Sequence, residues 1–350
     1  MKVLILSVVF FIIGIYVDIG DDSQNNPVLN GEKNIRQNND TEQIASQPAQ
    51  KATSKLPRPK TGLSAIIGKE SKTIIKQFGN PVRKDLSLYG YEWWIYNQDP
   101  QNYFQIGVKD NKAVTVYGIG SNVNIAPFKV GQPINDLFSR VNISTSIDFK
   151  NKGTTYRFEL SEEDLNTRPL IKLDNIYAQL YLDKFTGSVS SVRFLDAETL
   201  VQLRPYELIY RGGLAQPATP DELHWKRIEE GNANQIYDIT NIVRTRFELQ
   251  ELNLLDDVSE VAYLHSKDMH TDEYFSHTSP TKGELSDRLE ESNISYTLAG
   301  ENIAANYVDG IAAVAGWLNS KGHRDAMLNE EFTGIGVGVY RKYYTQNFVQ

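Results

Sequence analysis

The chain contains no cysteine. That absence excludes a disulfide framework, a thiolate zinc site, a cysteine nucleophile and a lipid-modified cysteine near the N-terminus. An exported protein of this composition folds without help from an oxidising compartment. Histidine is scarce, with five in 350 residues, all after residue 223. Imidazole chemistry is therefore confined to the C-terminal part. Positive charge is not in excess: the net charge is −8 and there is no large basic block. Nucleic acid is excluded as a partner of the whole chain, because phosphate binding needs a positive surface. No G-x-S-x-G motif is present, which removes one route to a serine hydrolase.

Long apolar runs are absent with one exception. The opening "MKVLILSVVFFIIGIYVDIG" places Lys2 before an unbroken run of apolar or small residues, Val3 to Val17, followed by Asp18, Asp21 and Asp22. The run suits the apolar core of a signal peptide and is slightly short for a spanning helix. Positive charge before it and negative charge after it place the remainder of the chain outside the cytoplasm. Residues 1–20 are thus a signal peptide or an uncleaved membrane anchor, and no clear small-x-small cleavage site decides between them. Residues 21–61 are polar, with few large apolar side chains, and read as a disordered linker.

Globular composition begins at Gly62 and brings an internal repeat. "IGKESKTIIKQFG" (67–79) aligns without gaps on "VGQPINDLFSRVN" (130–142). Gly68 matches Gly131, while Ile74, Ile75 and Phe78 match Leu137, Phe138 and Val141 at helical spacing. Each copy leads into strand-like sequence: "YEWWIYN", "NYFQIGV" and "AVTVYGI" in the first, "TTYRFEL", "IYAQLYL" and "SVSSVRFL" in the second. Residues 62–205 therefore read as a duplicated α+β domain, each unit a helix followed by an antiparallel meander. Alternation predicts that one of Trp93 and Trp94 is core and the other exposed. The region carries no histidine and no catalytic constellation. Gly and Pro in "GGLAQPATPDE" mark 206–231 as a connector.

Residues 232–350 read as three helices followed by two strands. "DDVSEVAYLHSKDM" puts Val258, Val261, Ala262, His265 and Met269 on one face, with Asp256 or Asp257 as the cap. His265 then reads as a hydrogen-bonded core histidine, and His270 as a helix-end residue. His224 lies in the connector without a clustered partner. Helices are expected over 280–293 and 309–320, and a buried strand over 334–340 with "YTQNFVQ" beside it. Three polar groups remain on segments that read as irregular: His277 in "YFSHTSP", Glu301 in "AGENIAAN" and His323 in "SKGHRDAML". Two imidazoles and a carboxylate suit zinc with one position left for water. They equally suit an acid–base set without metal. Spacing alone does not bring the three together.

"ITNIVRTRFELQELNLLDDVSEVAYLHSKDM", "YFSHTSP", "GENIAANY", "VAGWLNSKGHRDAMLN" and "TGIGVGV" together resemble the CAP superfamily of cysteine-rich secretory, antigen 5 and pathogenesis-related proteins, in its short bacterial branch. The resemblance covers 232–350, and 62–205 is similar to a domain found beside CAP domains in spore-forming Gram-positive bacteria. It implies an α-β-α sandwich with a central cleft that carries two histidines and two acids in many members. Motif by motif, these fall on His277, Glu301 and His323, with Ser320 where the second acid normally stands. Serine supplies no charge, so the set is incomplete.

The leading expectation is an exported, surface-tethered or secreted binding module. Its cleft takes a small molecule, lipid or peptide, and His277 and His323 are candidate ligands for zinc or another divalent metal. The rivals are a metal-dependent hydrolase of peptides or wall material, and a structural envelope protein that docks through residues 62–205. The apolar segment 3–17 would contact membrane if uncleaved.

Overall fold

The computed structural model describes Leu29, residues 31–38 and residues 56–350. The apolar segment 3–17 lies outside the described residues. A short strand, β1 (Ile35–Gln37), falls within the stretch read as linker. Helix α1 (Ser71–Phe78) is followed by β2 (Arg83–Leu86), β3 (Glu92–Tyr96), β4 (Phe104–Lys109) and β5 (Lys112–Gly118). The second copy begins with α2 (Ile134–Arg140), then β6 (Ser146–Asn151), β7 (Thr154–Glu159), α3 (Glu162–Thr167), β8 (Leu170–Leu173), β9 (Ile176–Asp183) and β10 (Ser188–Leu195). Helix α4 (Ala197–Leu203) and β11 (Glu207–Arg211) complete this part.

The repeat is a structural one. The copies join at β5 and β10 in a seven-stranded sheet ordered β2-β3-β4-β5-β10-β9-β8. Gly68 donates to Ala113 O at 2.7 Å, and its match Gly131 donates to Val189 O at 2.8 Å. Both glycines have positive φ, 85° and 78°, and open space beside them. Backbone conformation rather than room demands glycine at each. The second copy departs from the expected meander, since α3 interrupts it between β7 and β8. "TTYRFEL" forms β7, which leaves the main sheet and joins a four-stranded sheet ordered β1-β11-β7-β6.

The expectation for Trp93 and Trp94 fails. The two do point to opposite faces, yet they are 1% and 6% exposed. Both faces of the seven-stranded sheet are covered. Trp94 packs with Ile74 and Leu137 beneath α1 and α2. Trp93 belongs to a core that also holds Ile236, Trp317, Val337 and Phe348.

That second core crosses into the C-terminal part, and the irregular stretch between the two is residues 212–221, shorter than the 206–231 expected, because β11 and the helix that follows take up its ends. Helix α5 (Glu222–Arg246) starts inside the stretch read as connector, capped by Asp221, whose carboxylate accepts from His224 N at 2.8 Å. There follow β12 (Asn253–Leu254), α6 (Asp256–Thr271), α7 (Leu285–Glu291), β13 (Ala299–Ala305), α8 (Gly310–Leu318), α9 (Lys321–Met327), β14 (Gly334–Tyr340) and β15 (Tyr343–Val349). The cap of α6 is Leu255, not Asp256 or Asp257, which sit in its first turn. The sheet runs β12-β14-β15-β13, with α6 against one face and α5, α8 and α9 against the other. This is the expected α-β-α sandwich. The alternation in "GIGVGVY" explains the spacing of its layers. Ile335, Val337 and Val339 fill the core under α5. A Cβ on Gly338 would lie 1.9 Å from Tyr263 N on α6, so the backbones touch there.

Buried ion pairs lock the two parts together. Arg193 on β10 is fully buried and reaches Asp309 at 2.6 Å, while Asp309 also caps α8 through Ala312 N at 3.0 Å. Arg324 on α9 reaches Asp183 at 3.0 Å.

Candidate functional site

The site is built on β13, a strand that the sequence reading left as irregular. Glu301 is a strand residue, and its neighbour Asn302 points to the opposite face. His277 lies on the loop between α6 and α7. His323 lies within the first turns of α9. The structure brings all three together, approaching from both faces of β13.

On one face, Glu301 Oε1 bonds His277 Nδ1 at 2.9 Å, and Glu301 Oε2 accepts from Arg288 Nη2 at 2.5 Å. Arg288 also donates to His277 O and Gly283 O, each at 2.9 Å, and so fixes the loop that carries His277. His265 Nε2 lies 3.8 Å from Glu301 Oε1 and 3.1 Å from Ser276 O. On the other face, Asn302 donates to His323 O at 3.0 Å and positions the turn of α9. His323 Nδ1 and Ser320 Oγ are 2.7 Å apart. The His277 and His323 rings face each other with centroids 6.4 Å apart.

Burial governs the charges. Glu301 is buried, which alone would raise its pKa. Arg288, His265 and His277 outweigh that and hold the carboxyl well below the usual range. Burial, with a smaller contribution from His277, pushes His323 down to about 4, so it is neutral near pH 7. Burial also lowers His265, and the attraction of Glu301 only partly opposes it. The result is a buried anion clamped by Arg288, a neutral buried imidazole, and one histidine, His277, whose side chain is 46% exposed.

His265 and Arg288 were not singled out for this site. His265 is the buried, hydrogen-bonded histidine expected, but it also borders Glu301. Arg288 gave one usable signal. An acid inside the apolar strand "AGENIAA" has to find a buried cation, and Arg288 stands between Leu285 and Leu289, both core residues. The remaining histidines stay outside. His224 bonds Asp221 at 2.7 Å on the surface, and His270 sits between the rings of Tyr340 and Tyr343.

The residues fit a three-ligand metal centre poorly. Both oxygens of Glu301 are committed, one of them to a guanidinium. Among the described residues, no group of three or more histidine or acidic side chains is arranged to hold a metal ion. Two imidazoles remain available to a ligand.

Comparison with known proteins agrees with this architecture. Residues 67–206 match the family model described as CAP-associated N-terminal, and residues 237–350 match that of the cysteine-rich secretory protein family. An uncharacterized membrane protein of Bacillus subtilis (strain 168), YlbC, is 46% identical over 315 residues, covering 90% of this chain and 91% of that one. The chain belongs to the CAP family.

Its two-part build is shared with solved CAP structures. An extracellular SCP-domain protein from Bacillus anthracis str. Ames superposes with a TM-score of 0.79 at 43% identity, over 87% of this chain and 99% of that one. A cysteine-rich secretory protein from Staphylococcus aureus subsp. aureus Mu50 superposes at 0.74 with 29% identity, over 85% and 98%. Among the described residues of this CAP protein, no helix is long and apolar enough to cross a membrane.

Proposed function

We propose that this CAP protein is an exported binding module, secreted or tethered by its N-terminal apolar segment, whose cleft takes a ligand between His277 and His323. The observation that carries the reading is the state of Glu301. Its oxygens are bonded to His277 and Arg288, and its carboxyl is held well below the usual range. A general base works best with a pKa near the operating pH, so a carboxylate held this way is a poor one. Ser320 adds no charge at the position where many CAP proteins carry a second acid. What remains for a ligand is a half-exposed imidazole facing a neutral, buried one. Such a pair suits hydrogen bonds to the polar group of a small molecule, lipid or peptide. It would hold a divalent ion only weakly, since stable zinc sites use three or four protein ligands.

Export is supported by the charges flanking residues 3–17 and by the names of the relatives, one a membrane protein and one extracellular. A docking role for residues 62–205 has to use their outer surface, because the inner face of the main sheet packs on the CAP domain.

Titration calorimetry of zinc into the full chain near neutral pH tests the pair directly. Weak binding that disappears in both His277→Ala and His323→Ala is expected. Equal affinity in all three proteins would remove the imidazole pair from any ligand site. Peptide hydrolysis by the zinc-loaded protein that is lost in Glu301→Gln would favour the rival reading, a metal-dependent hydrolase.

A further inference from the structure

Residues 29–38 were expected to be a solvated spacer. Instead Leu29 and residues 31–38 bridge both parts of the protein through backbone hydrogen bonds. At the first end, Gly31 N donates to Ala305 O at 2.9 Å, and Ala305 N donates to Leu29 O at 3.0 Å. Ala305 is the last residue of β13, which is the edge strand of its sheet. At the second end, Ile35, Arg36 and Gln37 pair in parallel with Leu208, Ile209 and Tyr210, making β1 the edge of the other four-stranded sheet. Asn38 N then donates to Tyr210 O at 2.8 Å. Ion pairs flank the path: Lys33 with Asp164 at 3.5 Å, and Arg36 with Glu207 at 2.9 Å. Leu29 packs on the core shared by both parts.

The fit at Gly31 is specific. A Cβ there would lie 2.7 Å from both Asn306 O and Tyr307 Cα, so any other residue forces the segment off β13. An unpaired edge strand is an acceptor for any extended segment. Here the chain's own N-terminal segment fills that role, on the strand that carries Glu301.

We propose that residues 29–38 are an intramolecular clasp, a strand donor that fastens the cleft strand β13 to the CAP-associated domain. The clasp holds β13 from its outer edge, where β15 cannot. It also shortens the tether. Eleven residues separate Val17 from Leu29. Fully extended, they span at most ~40 Å. If the apolar run is anchored, the folded body is held within that reach of the membrane, and any pull on the chain acts first on the end of β13. This last consequence rests on the tethered reading above; the clasp itself does not.

Hydrogen exchange on the full chain, purified in detergent, separates the two. Gly31→Ala is expected to release the clasp. Segment 29–38 should exchange freely, and exchange in 299–307 should accelerate by about tenfold or more, while β9 and β10 stay protected. Two outcomes would overturn the proposal: 29–38 still protected in the variant, or 29–38 free with 299–307 unchanged. If the variant fails to fold, Asn38→Pro opens the other end by removing the bond to Tyr210. It should speed exchange in 29–38 and 207–211, and no change in either would equally overturn the clasp. Because exchange is read in solution, a failed clasp leaves the ligand and localisation readings untouched.

Discussion

Lowering the pH toward 5 should destabilise the protein through His323. Its imidazole is 5% exposed and pushed down to about 4, by burial first and by His277 second. In the unfolded chain it titrates near ~6.5. The sign follows from proton counts. Between those values the unfolded state binds the proton and the folded state does not, so stability falls as pH falls. The stabilisation is complete above about pH 6.5 and lost by about pH 4. At about 1.4 kcal/mol per tenfold change in proton affinity, the whole interval is worth about 3 kcal/mol, with about 2 kcal/mol lost by about pH 5. His265, also lowered by burial, acts in the same direction. Glu301 adds its loss only further down, since its carboxyl lies well below the usual range. Urea denaturation of wild type and His323→Asn at a series of pH values isolates the one residue. The wild type should lose about 2 kcal/mol more than the variant between about pH 7.5 and 5. Parallel curves for the two proteins would refute the assignment of a buried neutral imidazole at 323.

Three further outcomes follow from the buried charges and close backbones. Glu301→Gln leaves the Arg288 guanidinium without its anion and should cost about 3 kcal/mol in urea denaturation, while the double variant with Arg288→Met should cost less than the two single changes added together. Arg193→Met strands Asp309 at the junction of the two parts and should cost about 3 kcal/mol, with calorimetry still showing one transition because both parts share a core. Two transitions in the wild type would contradict that shared core. Gly338→Ala drives a Cβ into the backbone of α6 and should cost about 3 kcal/mol by thermal melting, where a change below about 0.5 kcal/mol would show that the layers separate easily.

Much of this molecule was legible wherever local pattern and structure coincide. The heptad-like spacing around Val258 and Met269 gave α6, and the Gly/β-branched alternation of 334–340 gave β14 with its close-packed face. The gapless alignment of Gly68 on Gly131 gave the duplication, because a positive φ and a following helix leave a local trace in each copy. The failures share a cause in long-range contacts. "AGENIAA" contains a glycine, an acid and an asparagine, so it does not read as a strand. It becomes one because β15 pairs with it and because Arg288 and His323 O receive its polar side chains. One of Trp93 and Trp94 reads as exposed only if the sheet has a wet face, yet α1 and α2 cover Trp94 and the core shared with the C-terminal part covers Trp93. Residues 29–38 lack the apolar content of a strand, and only pairing with the edge of β11 makes Ile35–Gln37 one.

The site shows the same division. His277, Glu301 and His323 were found through motif resemblance, and spacing alone would not have joined them. Their chemistry comes from residues that no motif marks. Arg288 turns Glu301 from a candidate base into a fixed anion, and in the same stroke pins the His277 loop through two carbonyls. Asn302, one position further along the strand, holds the α9 turn that carries His323 from the opposite face. Both imidazoles are therefore referenced to adjacent residues of a single edge strand, so a displacement of β13 shifts the two rings relative to each other. That is why the only free edge of β13 matters. Where Leu29 and Gly31 close it at Ala305, the strand that sets the cleft is fixed on both sides, and the geometry between His277 and His323 becomes a property of the whole two-part body rather than of the CAP sandwich alone.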